Sequence, residues 1–122
     1  FMIVRLTTRF KFDVPVEIRK LKPDEIVGKS VDEIKNLPAW LGNRKLVIND
    51  LFEIEVEGEL TNNVNDITIE IYGKGTEKIR YLGYRMKGGK IIVYGDIGPL
   101  TGFRMENGEI IIHGNADDYL GA

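Results

Sequence analysis

Gly83, Gly102 and Gly121 stand nineteen residues apart, and the pairs Gly89/Gly108 and Gly95/Gly114 keep the same offset. Other residues follow the glycines. Arg85 falls onto Arg104, Met86 onto Met105, Tyr84 onto Phe103, and Ile91-Ile92-Val93 onto Ile110-Ile111-Ile112. One step earlier, Ile69-Glu70-Ile71-Tyr72-Gly73 falls onto Ile91-Ile92-Val93-Tyr94-Gly95 at an offset of 22, so that unit carries three extra residues near Thr76. A short repeat of β-branched triplets and evenly spaced glycines predicts stacked units, each laying a strand in register about 4.8 Å from the next. Nineteen residues are too few for a helix pair and too strand-rich for a leucine-rich repeat, but they suit one coil of a β-helix.

The glycine count sharpens this reading. Eleven of the fourteen glycines lie from Gly73 onward. Eight of them, Gly73, Gly83, Gly89, Gly95, Gly102, Gly108, Gly114 and Gly121, fall into the spaced sets and are assigned to the corners of stacked coils. Asp96 and Asn115, beside Gly95 and Gly114, suit the same corners because short polar side chains tolerate the left-handed region. Gly75, Gly88 and Gly98 are read as local turns.

Period two sorts the strand residues. Ile69, Ile71 and Gly73 stack on Ile91, Val93 and Gly95, then on Ile110, Ile112 and Gly114, as an inner ladder. Met86 and Met105 fill the interior at the other wall. The outward ladders are Glu70/Ile92/Ile111 and Tyr72/Tyr94/His113. Isoleucines beside aromatic rings are unexpected on a free surface. Ile92, Ile111, Tyr72, Tyr94 and His113 are therefore candidate interface residues, covered either by the N-terminal segment or by a partner chain.

Residues 1–60 read differently. Met2–Leu6 has strand character, Val14–Ile18 alternates as a half-buried strand does, and Lys22-Pro23-Asp24 is a turn. Ser30 and Glu33 form a capping box ahead of a helix over Val31–Leu37 that Pro38 stops. Leu41–Arg44 is a turn, Leu46–Ile48 a strand, and Phe52–Glu57 a strictly alternating strand with its carboxylates on the solvent face. The expectation is a small α+β cap over 1–60, followed over 61–122 by the first coils of the repeat.

Composition limits function. Seventeen Lys+Arg against nineteen Asp+Glu give a net charge of −2, without the basic face of a nucleic-acid protein. No apolar run is long enough to span a bilayer, and no signal peptide is visible, so no membrane partner is expected. There is no cysteine, which fits the cytoplasm and leaves this chain unable to ligate an iron–sulfur cluster by itself. Phe1 precedes Met2, so Met2 is read as the natural start.

Motifs that carry chemistry fare poorly. Gly83–Ile91 is a near miss to a phosphate loop, because the Ser/Thr after Lys is absent and a second glycine displaces the lysine. Gly73-Lys74-Gly75 does not extend to a dinucleotide fingerprint. His113, the one histidine, aligns with Tyr72 and Tyr94, which marks a stacking position rather than a base. Asp117-Asp118 replaces Gly98-Pro99 and reads as a solvated turn. Trp40, after Pro38, is either a small core under its loop or an interface anchor. No catalytic, cofactor-binding or metal-binding residue is expected.

The run from Gly88 to Met105, followed by Asn107–Gly121, resembles the glycine-repeat β-helix. That domain is shared by the C-subunit of formylmethanofuran dehydrogenase and the C-terminal region of glutamate synthase. The lead-in of Ser30–Leu37, Gly42-Asn43-Arg44 and Asp50–Ile54 resembles that of the dehydrogenase C-subunit. The resemblance implies a mainly β chain. A right-handed parallel β-helix, a single-stranded solenoid with coils of about 19 residues, would follow the α+β cap. It also implies a non-catalytic scaffold or assembly subunit in the complex of methanogenic archaea that reduces carbon dioxide and fixes it as formylmethanofuran. The molybdenum or tungsten pterin, the iron–sulfur clusters and the amidohydrolase metal centre would lie on the other subunits, which are the expected partners. The family's repeat runs for several more coils, so the chain is read as a fragment whose open end invites homo-association. Two alternatives stand beside this reading. One is a glutamate synthase-like spacer or regulatory domain. The other is a left-handed β-helix acyltransferase, although no six-residue series runs through the repeat.

Overall fold

A computed structural model describes residues 1–116. It contains nine strands, three short α-helices and two single-turn 3-10 helices (Val64–Asp66 and Thr76–Lys78) among those residues. The chain opens with β1 (Met2–Thr8) and β2 (Val16–Glu17), then α1 (Pro23–Ile26) and α2 (Val31–Lys35). A hairpin of β3 (Pro38–Leu41) and β4 (Arg44–Val47) leads through α3 (Ile48–Leu51) into β5 (Phe52–Gly58). The repeat supplies β6 (Ile67–Tyr72), β7 (Ile79–Arg80), β8 (Lys90–Val93) and β9 (Glu109–Ile112).

The strands form two mixed sheets, one ordered β5-β1-β6-β8-β9 and the other β4-β3-β2-β7. In the first sheet β1 pairs antiparallel with β5, while β1-β6, β6-β8 and β8-β9 are parallel. The second sheet is antiparallel except for the β2-β7 pair.

The mainly β, right-handed parallel β-helix expected from the repeat is not what these residues form. The architecture is mixed α/β, with two small mixed sheets and no closed solenoid among the described residues. The physical reason lies in how each repeat uses its residues. Only four residues per unit, at β8 and β9, enter a continuous ladder. The rest form turns: amide N–H groups bond three residues back at Tyr84→Tyr81 and Met86→Gly83, and again at Phe103→Leu100 and Met105→Gly102. Adjacent units are tied there by isolated bonds, such as Gly102 N–H to the Leu82 carbonyl at 2.7 Å, and not by strand pairs.

Within the first sheet the local register follows the nineteen-residue offset. Ile69 lies opposite Ile91, which lies opposite Ile110, and Ile71-Val93-Ile112 runs beside them. The N-terminal strands extend both columns, because Val4 faces Ile69 and Val56 while Leu6 faces Ile71 and Ile54. Val4, Leu6, Ile69, Ile71, Ile91 and Val93 are buried, whereas Ile110 and Ile112 at the last strand are only partly so. Full burial of one such side chain contributes about 1.5–3 kcal/mol. The core therefore draws residues from both the 1–60 and 61–122 segments, and includes Phe12, edge-on against Phe52 at 5.6 Å.

Local signals in the first 60 residues mostly hold. Ser30 Oγ accepts from the Glu33 N–H and the Glu33 carboxylate accepts from the Ser30 N–H, completing the capping box. That backbone bond at Ser30 holds the Glu33 carboxyl below its usual range. Two readings change. Pro23 opens a helical turn at its first position, where its missing N–H costs nothing. Ile48 begins α3 instead of ending a strand.

Candidate interaction surfaces

Two outward faces carry the side chains of interest. The first is the solvent face of the β5-β1-β6-β8-β9 sheet. Arg5 on β1 bridges its two neighbours, with Nη1 donating to Glu57 at 2.7 Å and Nε donating to Glu70 at 3.1 Å. The hydrogen bond to Glu57 raises the Arg5 pKa further. The Tyr72 hydroxyl donates to Glu70 at 2.7 Å, and this bond, with burial and the Glu70 charge, pushes the phenol up to about 12.

From that polar corner two columns run along the repeat. Ile92 lies opposite Glu70 and Ile111 opposite Ile92. Tyr72 and Tyr94 stack with ring centroids 4.6 Å apart and planes within 4°, and His113 continues the stack on Tyr94 at 5.1 Å. The parallel register makes this stacking unavoidable, since equivalent side chains on adjacent parallel strands share one spacing. Ile92 and Ile111 are half-buried, while Tyr94 is exposed and His113 open to solvent. The structure thus brings together the five candidate interface residues of the repeat, beside Glu70.

Trp40 does not join them. It sits on β3 in the other sheet, opposite Glu17, exposed at 42 % and so not part of any core under its loop. With Pro38, Glu17, Arg19 and Lys20 it borders a shallow cavity of about 340 Å³.

Next to this cavity lies a cluster that sequence reasoning missed. The Arg19 guanidinium sits 3.9 Å over the Tyr81 ring and 4.9 Å from that of Tyr84. Tyr84 and Phe103 stack at 6.0 Å, and Arg85 and Arg104 lean on those two rings at 5.4 and 5.5 Å. The signal lies in the joint recurrence of Tyr84-Arg85 and Phe103-Arg104, which the nineteen-residue offset explains equally well as a mark of the repeat.

The repeat glycines at 73, 83, 89, 95, 102 and 108 all take positive φ. Gly114 is required for close approach, because a Cβ there would meet the Gly95 carbonyl. Gly121 and the Asp117-Asp118 pair lie outside the described residues. A depression of about 590 Å³ beside β9 is lined by Thr101, Met105, Ile110, Ile112 and Ala116.

Among the described residues no three His, Cys, Asp or Glu side chains converge as a metal-binding group. Without cysteine the chain offers no thiolate to an iron–sulfur cluster. No helix of the described residues is long and apolar enough to cross a membrane.

No protein-family model matches the chain. Its fold is similar to a chain of the formyltransferase/hydrolase complex (FhcABCD) from Methylorubrum extorquens, solved in complex with methylofuran, with a TM-score of 0.63. That match covers 97% of this chain and 49% of the other at 23% identity, so it speaks to the fold alone. Curated relatives are nearer in sequence. The C-subunit of tungsten-containing formylmethanofuran dehydrogenase 2 from Methanothermobacter marburgensis is 38% identical over 92 residues, and that from Methanothermobacter wolfeii 40%. Both matches cover 75% of this chain and 33% of the relative. The C-subunit of molybdenum-containing formylmethanofuran dehydrogenase 1 from M. marburgensis is 34% identical over 93 residues, covering 76% of this chain and 22% of the relative. The chain thus spans a third or less of the length of these relatives. Over about three quarters of its own length, it is a homologue of the formylmethanofuran dehydrogenase C-subunit.

Proposed function

We propose that this chain is part of a non-catalytic scaffold subunit of a formylmethanofuran dehydrogenase, the complex that reduces carbon dioxide and fixes it as formylmethanofuran. The observation that carries the proposal is the outward Ile92/Ile111 column beside the stacked Tyr72/Tyr94/His113 rings. Apolar and aromatic side chains aligned on one strand face, flanked by the Arg5-Glu70-Glu57 network, have the pattern of an interface centre with a polar rim. The sequence relatives support the assignment to this complex.

In this reading the column face docks on another subunit of the same complex in the cytoplasm. Neither nucleic acid nor membrane is needed as a partner. The pterin, the iron–sulfur clusters and the amidohydrolase metal sit on the other subunits. The chain's part is geometric: its parallel register holds the outward residues at a fixed spacing that loops could not keep.

The test is co-expression of the Ile92→Ser/Ile111→Ser double variant with the other subunits. Both positions face outward, so the chain should fold with unchanged circular dichroism while its recovery in the purified complex drops at least about tenfold. Recovery at wild-type stoichiometry would overturn the proposal.

A further inference from the structure

The arginine–aromatic face on the turns that follow β7 calls for a different partner. Arg19, Lys20, Arg85, Lys87 and Arg104 stand on it beside the carboxylates Glu17 and Glu106, while Glu25 holds Lys20 at 3.5 Å and Asp24 accepts from the Lys87 N–H. Glu17 is taken by Arg19 at 3.5 Å, and Arg85 and Arg104 have no carboxylate partner among the described residues. Arg85 and Arg104 therefore carry the unmatched positive charge of this face, in a chain whose overall charge is −2.

Geometry makes these cations unusually ready to bind. A guanidinium held by its flat face over an aromatic ring keeps its five N–H donors at the rim, and the stacking removes part of the rotamer entropy that binding would otherwise cost. Arg85 and Arg104 are one repeat apart, on adjacent hydrogen-bonded turns: the Arg85 N–H bonds the Phe103 carbonyl at 3.0 Å. Two forks at that spacing match successive carboxylates better than one isolated charge.

The backbone adds an independent observation. Tyr81, Arg85, Leu100 and Arg104 all sit in the left-handed region, with φ of 57°, 56°, 62° and 55°. Glycine would be relaxed at each of these places, and in this chain glycine is common. Side chains at such positions strain the backbone. Half of these costly positions carry arginine, and both arginines lean on aromatic rings.

We infer that the face formed by Arg19, Tyr84, Arg85, Phe103, Arg104 and Trp40 docks an acidic segment of a partner polypeptide, one that sets carboxylates on the arginine forks and an apolar side chain against the rings or in the Trp40 cavity. Charge complementarity selects this occupant. Among the described residues, the acidic row a second copy would present is Glu53/Glu55/Glu57 of β5, where Arg9 and Arg5 already hold Glu53 and Glu57 and Ile54 and Val56 pack against its own core. An oligonucleotide would need a broader basic track than these few cations interleaved with carboxylates.

The probe is a dye-labelled peptide of alternating glutamate and phenylalanine, titrated into the chain at low salt by fluorescence anisotropy. A lysine–phenylalanine peptide of equal length and a labelled RNA oligonucleotide serve as comparisons. Saturable binding of the acidic peptide alone is expected, weakened at least about tenfold in the Arg19→Gln/Arg85→Gln/Arg104→Gln variant. Arg85→Lys/Arg104→Lys should recover part of the loss, because it keeps charge but not the fork. Ile92→Ser/Ile111→Ser should bind the peptide as wild type does, which separates this face from the column face. Equal binding by the triple variant, tighter binding of RNA, or self-association that the triple variant abolishes would each overturn the inference.

Discussion

Replacing Ile91 by alanine tests the column architecture directly. Ile91 is fully buried between Ile69 and Ile110, on the fourth strand of the five-strand sheet. The substitution removes three carbons, and at roughly 0.8 kcal/mol per methylene the lost transfer energy is about 2.4 kcal/mol. Strands fixed on both sides cannot close the space, so the cavity raises the cost to about 3–4 kcal/mol. Its neighbour Ile92 points the other way and is half-exposed. Truncating Ile92 forfeits only part of the transfer energy and leaves no cavity, about 1 kcal/mol or less. Ile110, at the last described strand and only partly buried, falls between them at about 2 kcal/mol. Urea unfolding followed by circular dichroism reads the difference. With a slope near 2 kcal/mol per molar, the midpoint should drop by about 1.5–2 M for Ile91→Ala and about 0.5 M for Ile92→Ala. A strand slipped by one residue would exchange the two faces. A larger loss for Ile92→Ala than for Ile91→Ala would therefore refute the register.

Two more predictions follow from single contacts. Gly75 has a φ of 86° and lies against the backbone of Phe12, whereas Gly83, at 73°, lies only against the tip of Ile110, whose Cδ1 would be 2.5 Å from an added Cβ. A side-chain tip can swing away and backbone cannot. Gly83→Ala should thus cost about 1–2 kcal/mol, the strain of the left-handed conformation, and Gly75→Ala about 3 kcal/mol or more. Equal losses in thermal unfolding would count against the packing of Gly75 on the N-terminal segment. The Tyr72 phenol should titrate near pH 12, read as the difference between the tyrosinate absorbance curves of wild type and Tyr72→Phe. Since its folded value lies above the ordinary value of about 10, the stability gained from the Glu70 bond is fully present below pH 10 and is lost as pH rises through 12. Glu70→Ala should return the midpoint toward 10, and a wild-type midpoint already there would contradict the bond.

How far the sequence could be read depended on the range of the interaction. The capping box at Ser30–Glu33 and the Leu41–Arg44 turn are closed by residues within three positions of each other, and both formed as expected. The alternation in β5 worked because one face of that strand is solvated. The repeat offset fixed which residues lie opposite each other between β6, β8 and β9, since self-similar units stack on their equivalents. It did not reveal the partner of β1, whose strand character was legible locally. Met2–Thr8 shares no motif with the repeat, yet it pairs in parallel with β6 across more than sixty residues of sequence. Nothing local encodes such a partner; it is chosen because the inner column would otherwise expose Ile69 and Ile71. Gly75 and Gly98 show the same limit. Read as turns without equivalents, they are the places where the first repeat unit meets Phe12 and where the second crosses the Ile79 carbonyl.

The same limit explains why a repeat strong enough to set register did not set architecture. Stacking equivalents dictates the distance between units, but a closed coil also needs each unit to run straight along every wall. Here Tyr81-Leu82-Gly83-Tyr84-Arg85 and Leu100-Thr101-Gly102-Phe103-Arg104 put a left-handed residue at both ends of the segment, with glycine between. A strand cannot persist through alternate handedness. That wall is consequently built of successive turns, and its inward residues, Leu82 and Met86, are packed by compact turns in place of a pleated strand. Turns differ from strands in what they present outward. A pleat would have alternated Tyr84 and Arg85 between the two faces. The turn sets both toward solvent, ring beside guanidinium, and the next unit repeats the pair alongside. The departure from a regular strand and the arginine–aromatic surface are thus one feature, set by the left-handed positions at Arg85 and Arg104.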